Sequence, residues 1–428
     1  MKKPLGGPAG ASSFDGRLAG IVTNFRADGP QLCASAAPLV PVGFSRHVSR
    51  MGRTGTARTF LLLAFAEVGC SREPPGSVPQ RPNLPLFAVA DSTVLGMPEG
   101  LARSGTLIGA YALNDSMIAV VGTGPGAVAL VDRHGTPQVG GSPHNLRNAK
   151  PAHVALCTQG GIVIITDVDR RAIALDSLAT VSDGWRIPLS LGPIRGVQCE
   201  SARDLVALVD AVLPATSGAA LVRVATALVH LSNAGQRVDT LGSFPGHEVV
   251  RFTTSDPGSD PPFGIATRFA AGPTRLYLAN TNEATIQEFQ TNGRRLGSID
   301  IVGDTKRVSR AQIDSAFRAR YGPSLSRLPK DVVQGLLDAV ARDRTEPGWR
   351  AFAVDPDENV WVTGNEPPDQ DGDRAWVVYT AGGSRRAKVF LPHDFEVTEV
   401  GRTYVLGFLR SAPPARAARR YGLLLLGG

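Results

Sequence analysis

Short strands of Val, Ile, Leu and Ala recur along this chain at a spacing close to 43 residues, and that period restricts the fold more than any other property of the sequence. The strongest begin at Ile118, Ile162, Leu205, Leu276, Val360 and Tyr404, in steps of 44, 43, 71, 84 and 44 residues. The two long steps exceed the period by about 28 and 41 residues, as insertions do. Each strong strand is followed by a third one, such as Val128-Ala-Leu-Val-Asp132 or Trp376-Val-Val-Tyr379, and most of these by a turn carrying Gly or Asn. Arg133-His-Gly135, Asn233-Ala-Gly235, Thr291-Asn-Gly293 and Ala381-Gly-Gly383 are of this kind and suit a hairpin to an outer strand. A fixed period near 40 built from strands is the mark of a β-propeller, with one four-stranded blade per repeat. The expectation is therefore an all-β, six-bladed β-propeller over residues 86–428. Its last blade runs out at Leu426, so Leu86-Phe-Ala-Val-Ala90 is the expected closing strand that leaves no sheet edge open.

The larger insertion, at about 305–345 between blades 4 and 5, changes period from 2 to 3.6. Ser309-Arg-Ala-Gln312 spells a capping box, and Ile313, Ala316, Phe317 and Tyr321 share one helical face. Pro323 and Pro329 separate this helix from a second one carrying Val332, Val333, Leu336, Leu337 and Val340. The pair reads as a small helical hairpin on a rim of the ring, either a cap on the propeller's own loops or a docking or lid element.

Of 428 residues 43% are hydrophobic, enough for a large core, and 48 Gly and 32 Pro fit many tight turns. The formal charge of +7 is concentrated at the start, where residues 1–70 carry eight basic against three acidic side chains, leaving +2 for the rest. No nucleic-acid partner is indicated for the folded body. Residues 1–50 have no periodicity and read as a disordered upstream extension, with Met51 as the true initiator. Residues 51–70 have the layout of a signal peptide: Arg53 and Arg58, then Phe60-Leu-Leu-Leu-Ala-Phe-Ala66, then small residues before a cysteine. The apolar run is far below the roughly 20 residues that span a bilayer, so no transmembrane helix is expected. Residues 71–85 form a Pro-rich tether. The expected location is the periplasm or the outer membrane. In such a compartment Cys157 and Cys199, 42 residues apart at matching places in blades 2 and 3, form either an interblade disulfide or two buried free thiols.

Val68-Gly69-Cys70 resembles the end of a bacterial lipobox, which implies a lipidated Cys70 and a lipoprotein. Phe352-Ala-Val-Asp355-Pro-Asp357-Glu-Asn359-Val-Trp361 resembles the Val-Asp-Pro-Asp-Gly-Asn phrase of NHL-like and TolB-like six-bladed propellers, with Glu358 in the place of Gly. The stretch from Trp376 to Gly383, then Leu391-Pro392, Phe395 and Tyr404-Val-Leu-Gly407, is similar to the C-terminus of a large group of exported bacterial six-bladed propeller proteins. The resemblance covers roughly residues 85–428 and implies the fold, a helical insertion before the penultimate blade, and an extracytoplasmic place of work.

Catalytic spellings are absent: there is no Gly-x-Ser-x-Gly, His-Glu-x-x-His, Cys-x-x-Cys or Walker lysine loop. Gly122-Thr-Gly-Pro-Gly126 leads into a strand and supplies no helix N-terminus for a phosphate. Asp167, Asp169 and Asp210 follow strong strands, with Asn280 and Asn282 in the matching place of blade 4, so these five are the candidate ligand-binding residues at one channel mouth. Gluconolactonase-like propellers hold a divalent metal with Glu, Asn and Asp there, which implies the rival reading of a metal-dependent hydrolase. Asp369, Asp371 and Asp373 alternate around Gly372 and offer oxygens to calcium, or form a solvated hairpin loop. No other cofactor is expected. His144, His153, His230 and His247 share no ligand spacing and read as structural, and Arg410, Arg416, Arg419 and Arg420 read as a solvated cluster. The sequence favours a binding or interaction module over an enzyme, its partner a small molecule, a glycan or an envelope protein.

Overall fold

The strong strands are apolar without alternation because both of their faces are covered. A computed structural model describes residues 86–96, 106–123, 128–138, 146, 150–167, 169–211, 218–253, 258–301, 306–342, 344–346, 348–364, 370, 372–413 and 417–425. The expectations for residues 1–85, Cys70 included, and for Gly124 to Gly126, His144, Asp369, Asp371 and Arg416 lie outside the described residues.

After β1 (Leu86–Val94) the strands follow one another as antiparallel meanders. The first is β2 (Leu107–Ala112), β3 (Met117–Gly122) and β4 (Val128–Asp132); the second is β5 (Pro151–Leu156), β6 (Ile162–Thr166), β7 (Arg171–Leu175) and β8 (Trp185–Arg186). The third comprises β9 (Ile194–Ser201), β10 (Asp204–Asp210), β11 (Ala220–Ser232) and β12 (Arg237–Arg251), and the fourth β13 (Thr267–Ala271), β14 (Arg275–Asn280), β15 (Thr285–Gln290) and β16 (Arg295–Asp300). A two-residue pair, β17 (Lys306–Arg307) and β18 (Thr345–Glu346), brackets α1 (Arg310–Leu325) and α2 (Lys330–Ala341). The chain then forms β19 (Ala351–Val354), β20 (Val360–Thr363), β21 (Asp373–Tyr379) and β22 (Arg385–Pro392), followed by β23 (Phe395–Val400), β24 (Tyr404–Leu409) and β25 (Ala418–Leu425). These last seven strands and β1 make one sheet of eight, because β1 pairs antiparallel with β25 and parallel with β22. The N-terminal strand thus covers the edge that β25 leaves bare.

The first strands of the meanders touch one another in the order β2, β5, β9, β13, β19, β23, and β23 touches β2 again. The result is an all-β body with a propeller-like arrangement. Alternate residues of a strong strand serve opposite neighbours. Leu205, Ala207 and Val209 pack with Val163 and Ile165, whereas Val206 and Leu208 pack with Leu276 and Leu278. Ile118 and Val120 likewise meet Leu406, while Ala119 and Val121 meet Ile162 and Ile164.

Polar links tie the meanders where they meet. Cys157 and Cys199 are joined by a disulfide with their Cα atoms 4.3 Å apart, and Thr158 Oγ1 donates to the Glu200 carbonyl at 2.8 Å. Closing a chain separation of 42 residues contributes about 4 kcal/mol in the chain-entropy model. Glu358 occupies a backbone position with φ of 62°, the reason Gly is usual there, and its carboxylate accepts from Thr274 N at 2.6 Å and Tyr277 OH at 2.9 Å. That reach across to β14 is an interaction Gly cannot make.

The capping box closes at both ends: Gln312 N donates to Ser309 Oγ at 3.3 Å, and Ser309 N donates to Gln312 Oε1 at 2.9 Å. Helix α1 corrects one expectation, since it runs through Pro323 rather than ending before it. Pro323 lies in the last turn, and Ser326 then caps the helix by donating from its own N–H to the Gly322 carbonyl at 3.0 Å. Ile313, Phe317 and Tyr321 pack with Leu336, Leu337, Val340 and the β12 residue Val250.

Glu399 secures the junction between β23 and β2. Its Oε2 accepts from Ala112 N at 2.6 Å and its Oε1 from Tyr404 OH at 2.7 Å, with only 8% of the residue exposed. Burial raises its carboxyl from 4.5 to about 7, against the pull of those two donors. Because the folded value lies above the unfolded one, the unfolded chain loses this proton first as pH rises from 4.5 to 7, and stability falls across that window by up to about 3 kcal/mol. Glu399→Gln keeps one of the two acceptor oxygens, its amide being able to donate to the Tyr404 hydroxyl in place of the other, and removes the titration. Thermal melts should show the variant gaining on the wild type between pH 5 and pH 8, and a gap independent of pH would contradict this account.

Candidate functional site

Asp210 ends the apolar run of β10 and is 4% exposed, an expensive place for a carboxylate without partners. Its partners come from two other strands. Arg195, the second residue of β9, donates from Nε to Asp210 Oδ2 at 2.6 Å. The same guanidinium, through Nη2, meets His247 Nε2, and His247 Nδ1 lies 3.3 Å from Asp210 Oδ1. His247 reaches this point because β11 and β12 are 13 and 15 residues long and extend beyond the end of β10. A bulge re-aims the ribbon at Gly246, where φ is 74° and an added Cβ would lie 1.6 Å from the Val224 carbonyl oxygen. Burial raises the Asp210 carboxyl, with Arg195 opposing; burial and the Arg195 charge lower His247. Among the described residues Asp210 Oδ1 makes no aligned hydrogen bond, His247 Nδ1 being only a neighbour.

The other expected mouth residues do not join this group. Asp167 is exposed, its backbone N–H donating to the Lys150 carbonyl at 2.9 Å. Asp169 accepts from the Thr166 hydroxyl. Asn280 is buried and donates from Nδ2 to the Gly246 carbonyl at 3.4 Å, which fastens β14 to the bulge. Among the described residues no three His, Cys, Asp or Glu side chains converge in a way that could hold a metal ion. Asp373 begins β21 and is engaged within the protein.

Asn282 leads to a second place. It faces a cleft of about 370 Å³, walled on one side by Phe263 and Ile265 and on the other by Ala339 and Arg342 at the end of α2. Glu248 and Arg344 form its charged floor, an ion pair whose side chains are 12% and 5% exposed. Glu248 Oε2 also accepts from Ile265 N at 3.0 Å, and Arg344 Nε donates to the Val340 carbonyl, so sheet, loop and helix end meet at one point. Neither Asn282 nor Arg342 directs its side chain to a partner among the described residues. Residues 248 and 344 lie 96 apart in the chain, and no local spelling signals that they meet.

No family model matches the chain, and no curated protein matches it. Among solved structures it is similar to a streptogramin B lyase, at 11% identity and a TM-score of 0.40 over 79% of this chain and 98% of that one. A member of the DUF4221 family from Bacteroides vulgatus has 9% identity and a TM-score of 0.45 over 81% and 100%. A protein assigned as a gluconolactonase has 11% identity and a TM-score of 0.39 over 79% and 93%. With TM-scores this low, the architecture rests on the strands and their pairing alone.

Arg195 is the bridge between a buried carboxylate and a buried imidazole. Arg195→Met should cost roughly 1.5–3 kcal/mol, the range for hydrogen bonds to a charged group. Urea unfolding of Arg195→Met, of His247→Gln and of the variant carrying both changes should give a combined loss below the sum, and strict additivity would argue against a shared cluster.

Proposed function

We propose that the chain is an exported six-bladed β-propeller that binds a small molecule in the cleft between its face and the helical hairpin inserted between blades 4 and 5. Six blades are supported by the cycle of contacts among β2, β5, β9, β13, β19 and β23, and by the two strands, β22 and β25, that share β1. Export is supported by the order of residues 51–70 and by the disulfide at Cys157 and Cys199, a bond that persists in oxidising compartments. Among the described residues no helix is long and apolar enough to cross a membrane, so in this reading attachment depends on acylated Cys70.

The observation that carries the binding reading is the cleft itself. Its volume of about 370 Å³ falls within the span of roughly 300–1,000 Å³ usual for small-molecule sites. Apolar walls from Phe263, Ile265 and Ala339, with the Asn282 amide and the Arg342 guanidinium at the rim, suit a ligand with an apolar body and a polar or anionic end. The metal-dependent hydrolase has less support. Among the described residues no three His, Cys, Asp or Glu side chains converge as such a metal site requires, and Asp167 and Asp169 stand apart from Asp210.

Two measurements test the proposal. Protein incubated with a small-molecule extract of its source cells and separated by gel filtration should retain a compound below about 1 kDa that the cleft-filling variant Ala339→Trp, folded by circular dichroism, releases. Retention by both forms, or by neither, would reject the cleft. Intact-mass analysis of the membrane fraction should find an acylated Cys70 as the first residue, and any peptide from residues 1–50 would reject the export reading.

A further inference from the structure

Arg350, Arg374 and Arg410 gather where the meander β19–β22 meets the strands β23–β25. Arg350 immediately precedes β19, and its backbone N–H donates to the carbonyl of Thr363 at the end of β20 at 2.7 Å. Thr363 Oγ1 in turn donates to the Ala375 carbonyl at 3.1 Å, next to Arg374 on β21. Arg410 follows β24, and its backbone N–H donates to the Asp394 carbonyl at 3.1 Å. Arg350 lies between the other two charges: it is lowered by partial burial and then by the Arg410 charge, with Glu396 opposing, and Arg374 is lowered by burial and then by Arg350.

Among the described residues, ion pairing offsets only part of this positive charge. Among the described residues the carboxylate bound to this trio is Glu396, whose Oε2 accepts from Arg410 Nε at 2.6 Å. Asp394 accepts from Ser411 N at 3.2 Å and from the Ser411 hydroxyl. Arg350 and Arg374 form no side-chain ion pair among the described residues, and Arg374 Nε is buried with no acceptor. A buried donor left unmade costs about 1–3 kcal/mol, and three cations held together repel. An oxyanion relieves both penalties, because its oxygens accept from the planar guanidinium fork while its charge offsets the cluster.

We propose that Arg350, Arg374 and Arg410 form a binding site for an oxyanion carrying two or more negative charges, a phosphate or a polycarboxylate. The site is separate from the helix-side cleft, and it stands whether or not that cleft binds a ligand.

Isothermal titration of the full chain with inorganic phosphate and with citrate tests the proposal. At least one of the two should bind saturably with a dissociation constant of about 1 mM or tighter at low salt. Affinity should fall about tenfold or more in Arg350→Gln and in Arg374→Gln, and should weaken as salt screens the charges. Arg237→Gln, on an exposed hairpin and already paired with Asp239, should bind as the wild type does, and so should Ala339→Trp. Preference for phosphate assigns a phosphoryl ligand, and preference for citrate a carboxylate ligand. Absence of saturable heat from both anions overturns the proposal, as does undiminished binding by both folded arginine variants. If Arg374→Gln fails to fold, Arg350→Gln alone carries the test, since its side chain is exposed.

Discussion

A strand that is apolar on both faces is stable only between two neighbours, and that requirement organises this body. β3, β6, β10, β14, β20 and β24 each have residues pointing both ways into packed clusters. In a linear stack of such sheets the two outermost would each expose an oily face. Here β3 packs on β24 as well as on β6, so the last sheet covers the first. Glu399 and Thr398 sit at that seam, and Thr398 Oγ1 donates to the Ala110 carbonyl at 2.8 Å. Polar side chains placed there align two sheets that apolar packing alone would let slide.

Much of this architecture was legible because β-sheet physics repeats. The six strong strands are found where their composition placed them, and Leu86 to Ala90 lies beside β25 as an unfilled edge demands. The phrase from Asp355 to Asn359, read from the sequence only as a resemblance, is a turn in which the Asp355 carboxylate accepts from Asp357 N, Asn359 N and Trp361 Nε1 at 2.8–3.0 Å. What escaped was the use made of extra chain. The excess after β10 becomes an extension of the β11–β12 ribbon, a choice decided by packing of Val250 on α1 and α2 rather than by local propensity. Pro323 stands inside α1 because α1 is held by its buried face, and tertiary burial outweighs one missing backbone donor.

The functional residues were less legible, for a related reason. Asp210 was identifiable as the polar end of an apolar strand, but its environment depends on Arg195, 15 residues away from it in the chain, and on His247, 52 residues away from Arg195. Spacing alone made His247 look like any other histidine. The cleft floor is more distant still, since Glu248 belongs to the extended ribbon and Arg344 to the exit from α2. Single-sequence reasoning finds what periodicity or a turn rule enforces; it does not find charges that two insertions bring together.

The sharing of β1 between β22 and β25 bears on how the chain reaches its native state. Asp91 Oδ1 accepts from Gly422 N at 2.9 Å across a separation of 331 residues, so β1 is translated long before its antiparallel partner β25. At roughly 5–20 residues per second, the ribosome holds that strand unpartnered for tens of seconds. A lone, flat, oily strand exposed for so long invites association with other nascent chains. The sequence of β1 answers the hazard with Asp91, whose charge interrupts its apolar pattern. A charge that looks like an imperfection in the finished sheet is what disfavours mispairing while the strand is alone.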